Sequence, residues 1–275
     1  MRLGKIIALA AAFLVFTGSA ALAGPAYDNV MKDKKIRVGL MTDSIPGGFY
    51  NEKGEWGGFD YDIATEIAKR MGVDIERVQV NNKTRIAYVQ QGRVDISVSN
   101  MTHTRERDKS VDFSITYFFD GQKVLAKKGQ FKSVKDMVGK KIATMQGTTS
   151  EVNVKRALKE AGDPNPDQSV ISFQKESECF QALQMGRVAG WSTDASILVG
   201  YSAKEPGKFE LVGNFLAEEP YGIAMPQDDS ALRDAVNAAL QDMWKDGTYK
   251  TIYNKWYGPG TPFEMPLAGQ IEMWP

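Results

Sequence analysis

The sequence predicts an α/β protein built as two lobes. Three observations carry this expectation. Short β-type runs alternate with amphipathic helical runs, the same alternation is run through twice along the chain, and two stretches stand where the chain can cross between the halves.

In the first half, residues 36–40 read as a strand, followed by a Gly/Pro-rich loop over 44–58. Residues 60–71 read as a helix, with Ile63, Ile67 and Met71 at four-residue spacing and Gly72 as its stop. Asp60 and Asp62 stand at its positive end, where acids are favoured. A strand over 78–80, a short helix over 85–91 ending at Gly92, and an alternating strand over 94–98 follow. The second half repeats the build: strand 140–145, helix 151–161 closed by Gly162 and Pro164, strand 169–173, helix 177–185 and strand 188–193. Leu232, Val236, Leu240 and Met243 mark an amphipathic C-terminal helix, and a last helix ends near Trp256.

Residues 120–124 and 217–221 are the expected crossings; the second returns the chain to an apolar strand over 222–225. With both crossings, lobe 1 is discontinuous, residues 24–121 and 220–275, and lobe 2 is residues 122–219. A cleft between lobes joined by two strands is a hinge design.

The N-terminus sets the expected compartment. Arg2 and Lys5 precede an uncharged apolar stretch over 6–16, then Ala21-Leu22-Ala23. This is the pattern of a secretory signal cut after Ala23. The stretch is short for a bilayer span of about 20 residues, and Gly24, not Cys, follows the cut. Export to the periplasm is expected. Without Arg2 and Lys5, the 34 basic and 34 acidic side chains become 32 and 34, a net charge of −2. No basic field favours nucleic acid. With one cysteine, Cys179, no internal disulfide can form. Cys179 and the single histidine, His103, do not make a zinc site. No phosphate-loop or dinucleotide motif is present, so binding is favoured over chemistry and no cofactor is expected.

Four segments carry a family resemblance: Gly58-Phe59-Asp60-Tyr61-Asp62-Ile63, the run from Asn100 to Arg107 with Val111-Asp112-Phe113-Ser114 after it, Gly147-Thr148-Thr149-Ser150-Glu151, and Trp191-Ser192-Thr193-Asp194. The chain resembles the bacterial extracellular solute-binding proteins for polar amino acids, from about residue 36 to 256. Tyr61 departs from the aliphatic residue usual there. The resemblance implies a two-lobed periplasmic-binding-protein-like α/β fold of type II, each lobe a central β-sheet flanked by helices, joined by two hinge strands. It implies a monomer that takes a free amino acid to the permease subunits of an ABC transporter.

The residue chemistry fits. A free amino acid is a zwitterion, and enclosing it requires both charges to be paired and hydrogen-bonded. Arg107 is the candidate for the ligand carboxylate, because a planar guanidinium binds it bidentately. Thr102 and backbone donors near Asn100 stand beside it. Surface pairing of Arg107 with Asp108 or Asp112 is the plainer alternative. Asp194, at a strand end, is the candidate for the ligand ammonium, with a simple helix N-cap as the alternative. Thr148 and Thr149 open a helix, an arrangement suited to an anion or to a capping box. By the resemblance, Arg85 and Asn82 face the ligand side chain, and Phe49, Tyr50 or Trp56 packs on its aliphatic part. Glu176 stands where some acid-binding members carry His, and would repel an anionic side chain unless protonated. The expected ligand is of glutamate/aspartate or glutamine/asparagine type, with the amides favoured. Two other readings remain at this stage: a dehydratase-type enzyme on the same scaffold, with Glu176 as general acid, and a sensory binding protein.

Overall fold

The computed structural model describes residues 26–274; the expected export signal lies outside them. The first half runs α1 Ala26–Asp33, β1 Lys35–Leu40, β2 Asp43–Ser44, β3 Gly48–Tyr50, β4 Trp56–Gly57, α2 Phe59–Met71, β5 Asp74–Gln79, α3 Arg85–Gln90, β6 Ile96–Ser97 and β7 Asp112–Phe113. The second half follows with β8 Phe118–Lys127, β9 Ile142–Met145, α4 Thr149–Glu160, α5 Pro166–Ser169, β10 Val170–Phe173, α6 Glu176–Gln184, β11 Gly190–Asp194, α7 Ala195–Ser202 and β12 Phe209–Tyr221. The chain closes with β13 Ala224–Met225, α8 Ser230–Lys245 and α9 Thr248–Tyr257.

Two five-stranded sheets organise the chain, in the orders β5-β1-β6-β13-β7 and β10-β9-β11-β8-β12. Each has three parallel strands, to which the last two are added by antiparallel pairing. The parallel strands have the same 2-1-3 order in both lobes, so the repeated alternation in the sequence becomes a repeated topology. The chain passes from the first sheet to the second between β7 and β8, and returns between β12 and β13. There β8 and β12 pair antiparallel, with Asp120 opposite Glu219 and Phe118 opposite Tyr221.

Each sheet buries its own core. In lobe 1, Ile36, Val38 and Leu40 of β1 pack with Ile63 and Ile67 of α2 and with Leu232, Val236, Leu240 and Met243 of α8. These are the spaced positions read from the sequence. In lobe 2 the alternation of β-strand side chains separates two clusters. Leu125, Ala143, Cys179, Phe180 and Trp191 form one, and Val124, Ala126, Ile142, Val154 and Leu158 the other. Gly72 ends α2 in the left-handed conformation that glycine adopts freely.

Several boundaries differ from expectation. β5 begins at Asp74 rather than at residue 78, pairing along the full length of β1 as an edge strand of mostly exposed polar residues. Its ladder, not its apolar content, makes it a strand. Part of the loop 44–58 forms a small sheet, β2-β3-β4. The strand expected over 94–98 is regular only at Ile96–Ser97, and α5, opened by Pro166, precedes β10.

Candidate functional site

The carboxyl ends of all six parallel strands point to one place, where open α/β sheets gather ligand contacts. Ser44 follows β1, Asn82 and Arg85 follow β5, and Asn100 and Thr102 follow β6. From the other lobe, Thr148, Thr149 and Ser150 follow β9, Glu176 follows β10, and Asp194 ends β11. Together with Thr193 and Ile197 they line one narrow, polar cavity. The cavity brings together Asn82, Arg85, Asn100, Thr102, Thr148, Thr149, Glu176 and Asp194 of the expected residues. Arg107 and Phe49 are not among its lining residues.

Arg107 lies beside the wall rather than in it. Its Nη1 donates to the Thr102 carbonyl at 2.7 Å, so the residue is tied to the loop whose hydroxyl faces the cavity. It is half-buried and does not carry the surface pairs weighed above: Asp108 accepts from His103, and Asp112 pairs with Arg233. Burial lowers the Arg107 pKa, against which Glu219 and Asp194 act as counter-charges. Phe49, one of the three aromatics expected against the ligand, is packed edge-on against Trp256 with ring centroids 5.7 Å apart. It sits in the middle of β3, between Gly48 and Tyr50, on the face that meets α9.

Arg85 is buried at 3% exposure. Its Nη1 donates to the carbonyls of Ser99 and Asn100 at 2.6 and 3.0 Å. It therefore holds the loop that carries Asn100 and Thr102. Burial, with Arg107 nearby, pushes its pKa down to about 9. Its Nε, the Ser44 hydroxyl and Asn100 Oδ1 are buried with no hydrogen-bond partner among the described residues. Buried polar atoms are almost always paired, and since Ser44, Arg85 and Asn100 all line the cavity, these groups are free to pair with a polar ligand there.

The motif around Asp60 supports the same loop from beneath. Asp60 is buried and accepts from the Asn100 backbone N–H at 2.9 Å and from the Tyr117 hydroxyl at 2.8 Å. Asn100 adopts φ 49°, a left-handed turn that Asn tolerates. Gly58, at φ 123°, lets the chain pass where a Cβ would lie 2.1 Å from the Gly47 carbonyl oxygen. Phe59 anchors the segment among Tyr117, Phe118, Tyr249, Tyr253 and Tyr257.

On the other side, Asp194 precedes α7 but makes no side-chain cap. Its carboxylate accepts from Tyr221 at 2.5 Å and from the Ser150 hydroxyl at 3.4 Å. Thr148 does cap α4, accepting from the Glu151 N–H at 3.3 Å, while its own hydroxyl donates to Met145. Thr149 instead turns to Glu219, donating to Oε2 at 2.9 Å. Thr102 donates to the same oxygen.

Glu219, Asp120 and Tyr221 were not singled out in the sequence. They lie on the strand pair where the chain crosses between lobes. Asp120 accepts from the Ser196 N–H at 3.1 Å, and its carboxylate lies 3.2 Å from the Tyr221 hydroxyl oxygen. Burial first, and Asp194 second, push the pKa of both Asp120 and Glu219 up to about 7. Asp194 is itself raised by burial, held back by Tyr221, Arg85 and Arg107. Glu176 is raised well above the ordinary range by burial and by Asp43 and Asp194, with Asn82 and Arg85 opposing. The signal for these groups was available: acids within both crossings, Asp120 in one and Glu218-Glu219 in the other.

Two lobes closing on a small polar cavity define a ligand-binding protein of the hinged periplasmic class. Residues 36–259 match the family described as bacterial extracellular solute-binding proteins, family 3, and the chain belongs to that family. It is 40% identical over 233 residues to the ABC transporter glutamine-binding protein GlnH of Bacillus subtilis, covering 82% of each chain. It is 31% identical over 239 residues to the L-glutamate/L-aspartate-binding protein of Pseudomonas aeruginosa, covering 82% of this chain and 78% of that one. The solved structure of an ancestral arginine-binding protein bound to glutamine matches with a TM-score of 0.75 and 40% identity, over 82% of this chain and 98% of that one. By their names, these relatives and this neighbour are amino-acid-binding proteins.

Proposed function

We propose that this protein captures a polar amino acid of the glutamate/aspartate or glutamine/asparagine type in the periplasm and delivers it to an ABC permease as a monomer. Lobe 1, residues 24–121 and 220–275, and lobe 2, residues 122–219, move about the crossing strands. The ligand's carboxylate meets Thr102, Thr149 and the remaining N–H donors of Arg107, and its ammonium meets Asp194. Its side chain extends toward Arg85, Asn82, Ser44 and Glu176. A terminal carboxamide suits that end, because its carbonyl accepts from Arg85 or Asn82 while its NH2 donates to Glu176 or Ser44. A carboxylate there would lie against Glu176.

The observation that carries this reading is the cavity itself. Asp194 of one lobe and Thr102 of the other line it, with Arg107 tied to Thr102 and acting electrostatically on Asp194. Binding rather than enzymatic turnover is supported by the relatives named above, which are binding proteins. The test is a thermal-shift screen against the proteinogenic amino acids. A ligand at about one hundred times its Kd stabilises by about 2.7 kcal/mol, a shift of several degrees for a chain of this size. A response to glutamine or its acidic and amide neighbours is expected, and no response to any amino acid contradicts the reading.

A further inference from the structure

We propose that Glu219 is a positioning residue for the carboxylate end of the ligand site, deciding whether the Thr102 and Thr149 hydroxyls offer hydrogens or lone pairs to the cavity. The proposal rests on the amino-acid-binding reading and goes beyond it.

Thr102 and Thr149 line the cavity from opposite lobes, with their hydroxyls 3.4 Å apart. Both donate to one oxygen of Glu219, and the other oxygen accepts from Asn153 of α4 at 3.3 Å. Glu219 is 1% exposed and does not itself line the cavity. The threonines therefore stand between the acid and the ligand.

A hydroxyl has a single hydrogen, and an ionised carboxylate only accepts. While Glu219 is charged, it holds both hydrogens, and the threonines turn lone pairs toward the cavity. Lone pairs repel an incoming carboxylate. A protonated Glu219 donates its own hydrogen to one threonine oxygen, and the hydroxyl hydrogens are free to turn to the ligand. One proton enters with the ligand: its bond to a hydronium ion or buffer acid in the solvent breaks as the Glu219 O–H bond forms.

The surroundings favour this exchange. Arg107 faces Glu219 from the 3-10 turn Arg107–Lys109, Asp194 from β11, and Asp120 stands in register on β8, with Tyr221 two residues along β12. Burial and Asp194 already bring the acid near neutrality, against Thr102, Thr149 and Arg107. A ligand carboxylate is one further like charge.

The experiment is calorimetric titration of wild type and Glu219→Gln with L-glutamine, L-asparagine, L-glutamate and L-aspartate. It is run from pH 6 to pH 8 in buffers of different ionisation enthalpy. The amide of the variant both donates and accepts, and so imitates the protonated acid at every pH. Wild type is expected to take up more protons per ligand than the variant. Its affinity relative to the variant is expected to fall toward high pH, by up to about tenfold per pH unit. Equal proton uptake in the two proteins overturns the proposal, because any titration then belongs to Asp120, Asp194 or Glu176. If none of the four ligands binds wild type at any pH, the amino-acid reading falls and takes this proposal with it. Should Glu219→Gln fail to fold, NMR titration of the wild-type glutamate carboxyls replaces it. The Glu219 pKa is expected to rise on ligand addition, and an unchanged or lower value overturns the proposal.

Discussion

The hydroxyls of Thr102 and Thr149 lie 3.4 Å apart although one follows a strand of lobe 1 and the other opens a helix of lobe 2. The cleft is also joined at its other end. Tyr201 of α7 donates to the Asp43 carbonyl at 2.7 Å, and the Glu176 N–H donates to the Asp43 carboxylate at 3.1 Å. The structure is therefore a closed form, with the cavity between two seams.

Closure at the second seam depends on a missing side chain. A Cβ on Gly200 of α7 would lie 2.0 Å from the Ile45 carbonyl oxygen of lobe 1. Gly200→Ala is expected to hold the lobes apart and weaken ligand binding about tenfold or more, about 1.4 kcal/mol. The free protein should be no less stable, since alanine favours a helix over glycine by about 1 kcal/mol. Calorimetry and a melting curve check both; unchanged affinity contradicts the close approach.

Removing either charge proposed to pair with the ligand should be severe. Arg107→Ala and Asp194→Ala each leave a ligand charge buried without a partner, a loss of about 2–5 kcal/mol. The thermal shift with amino acid is expected to disappear in both, while far-UV circular dichroism stays that of the folded protein. A normal shift in both variants contradicts the assignment.

Arg85 has two tasks that separate by substitution. Its Nη1 holds the Ser99 and Asn100 carbonyls, so Arg85→Ala is expected to destabilise the free protein by about 1–3 kcal/mol, the cost of leaving buried polar groups unpaired. If its Nε reads the side chain, glutamine affinity should fall more than that of a ligand with a shorter side chain. Equal losses for glutamine, glutamate and alanine would assign Arg85 to the loop alone.

Stability should fall as pH rises from 5 to 8. Burial holds Asp120 at about 7, against 3.8 ordinarily. Between those values the folded chain keeps a proton that the unfolded chain has lost, so folding is favoured at the acid side and this advantage is gone above pH 7. Asp60, raised to about 6, and Glu219, raised to about 7, act in the same direction. Asp246, lowered to about 2, is fully ionised in both states by pH 5. Urea midpoints are expected to decline between pH 5 and pH 8 in wild type and to decline less in Asp120→Asn. A wild-type midpoint that rises over this range contradicts the burial of these acids.

The sequence made the frame legible because each core face is written as a local period. Ile63 and Ile67 reach the lobe 1 core, and Leu232, Val236, Leu240 and Met243 do so at helical spacing. The site residues on strand ends were legible through short motifs: Asn100 and Thr102, Thr148 and Thr149, and Asp194 all meet at the cavity. What the sequence hid is non-local. Glu219 touches Thr102 across 117 positions and Thr149 across 70, and no local pattern joins them. Only the end of β5 is legible in the sequence, because its polar residues owe their strand to β1. Nothing local to Phe49 shows where its ring points, and only the fold turns it to Trp256.

A crystal structure of the protein grown with L-glutamine decides the arrangement proposed for the cleft. The α-carboxylate is expected within hydrogen-bonding distance of Thr102, Thr149 and the Arg107 guanidinium, with the α-ammonium on Asp194 and the carboxamide against Arg85 and Glu176. Glutamine bound outside the cavity, or with its ammonium away from Asp194 and its carboxylate away from Arg107, would contradict it.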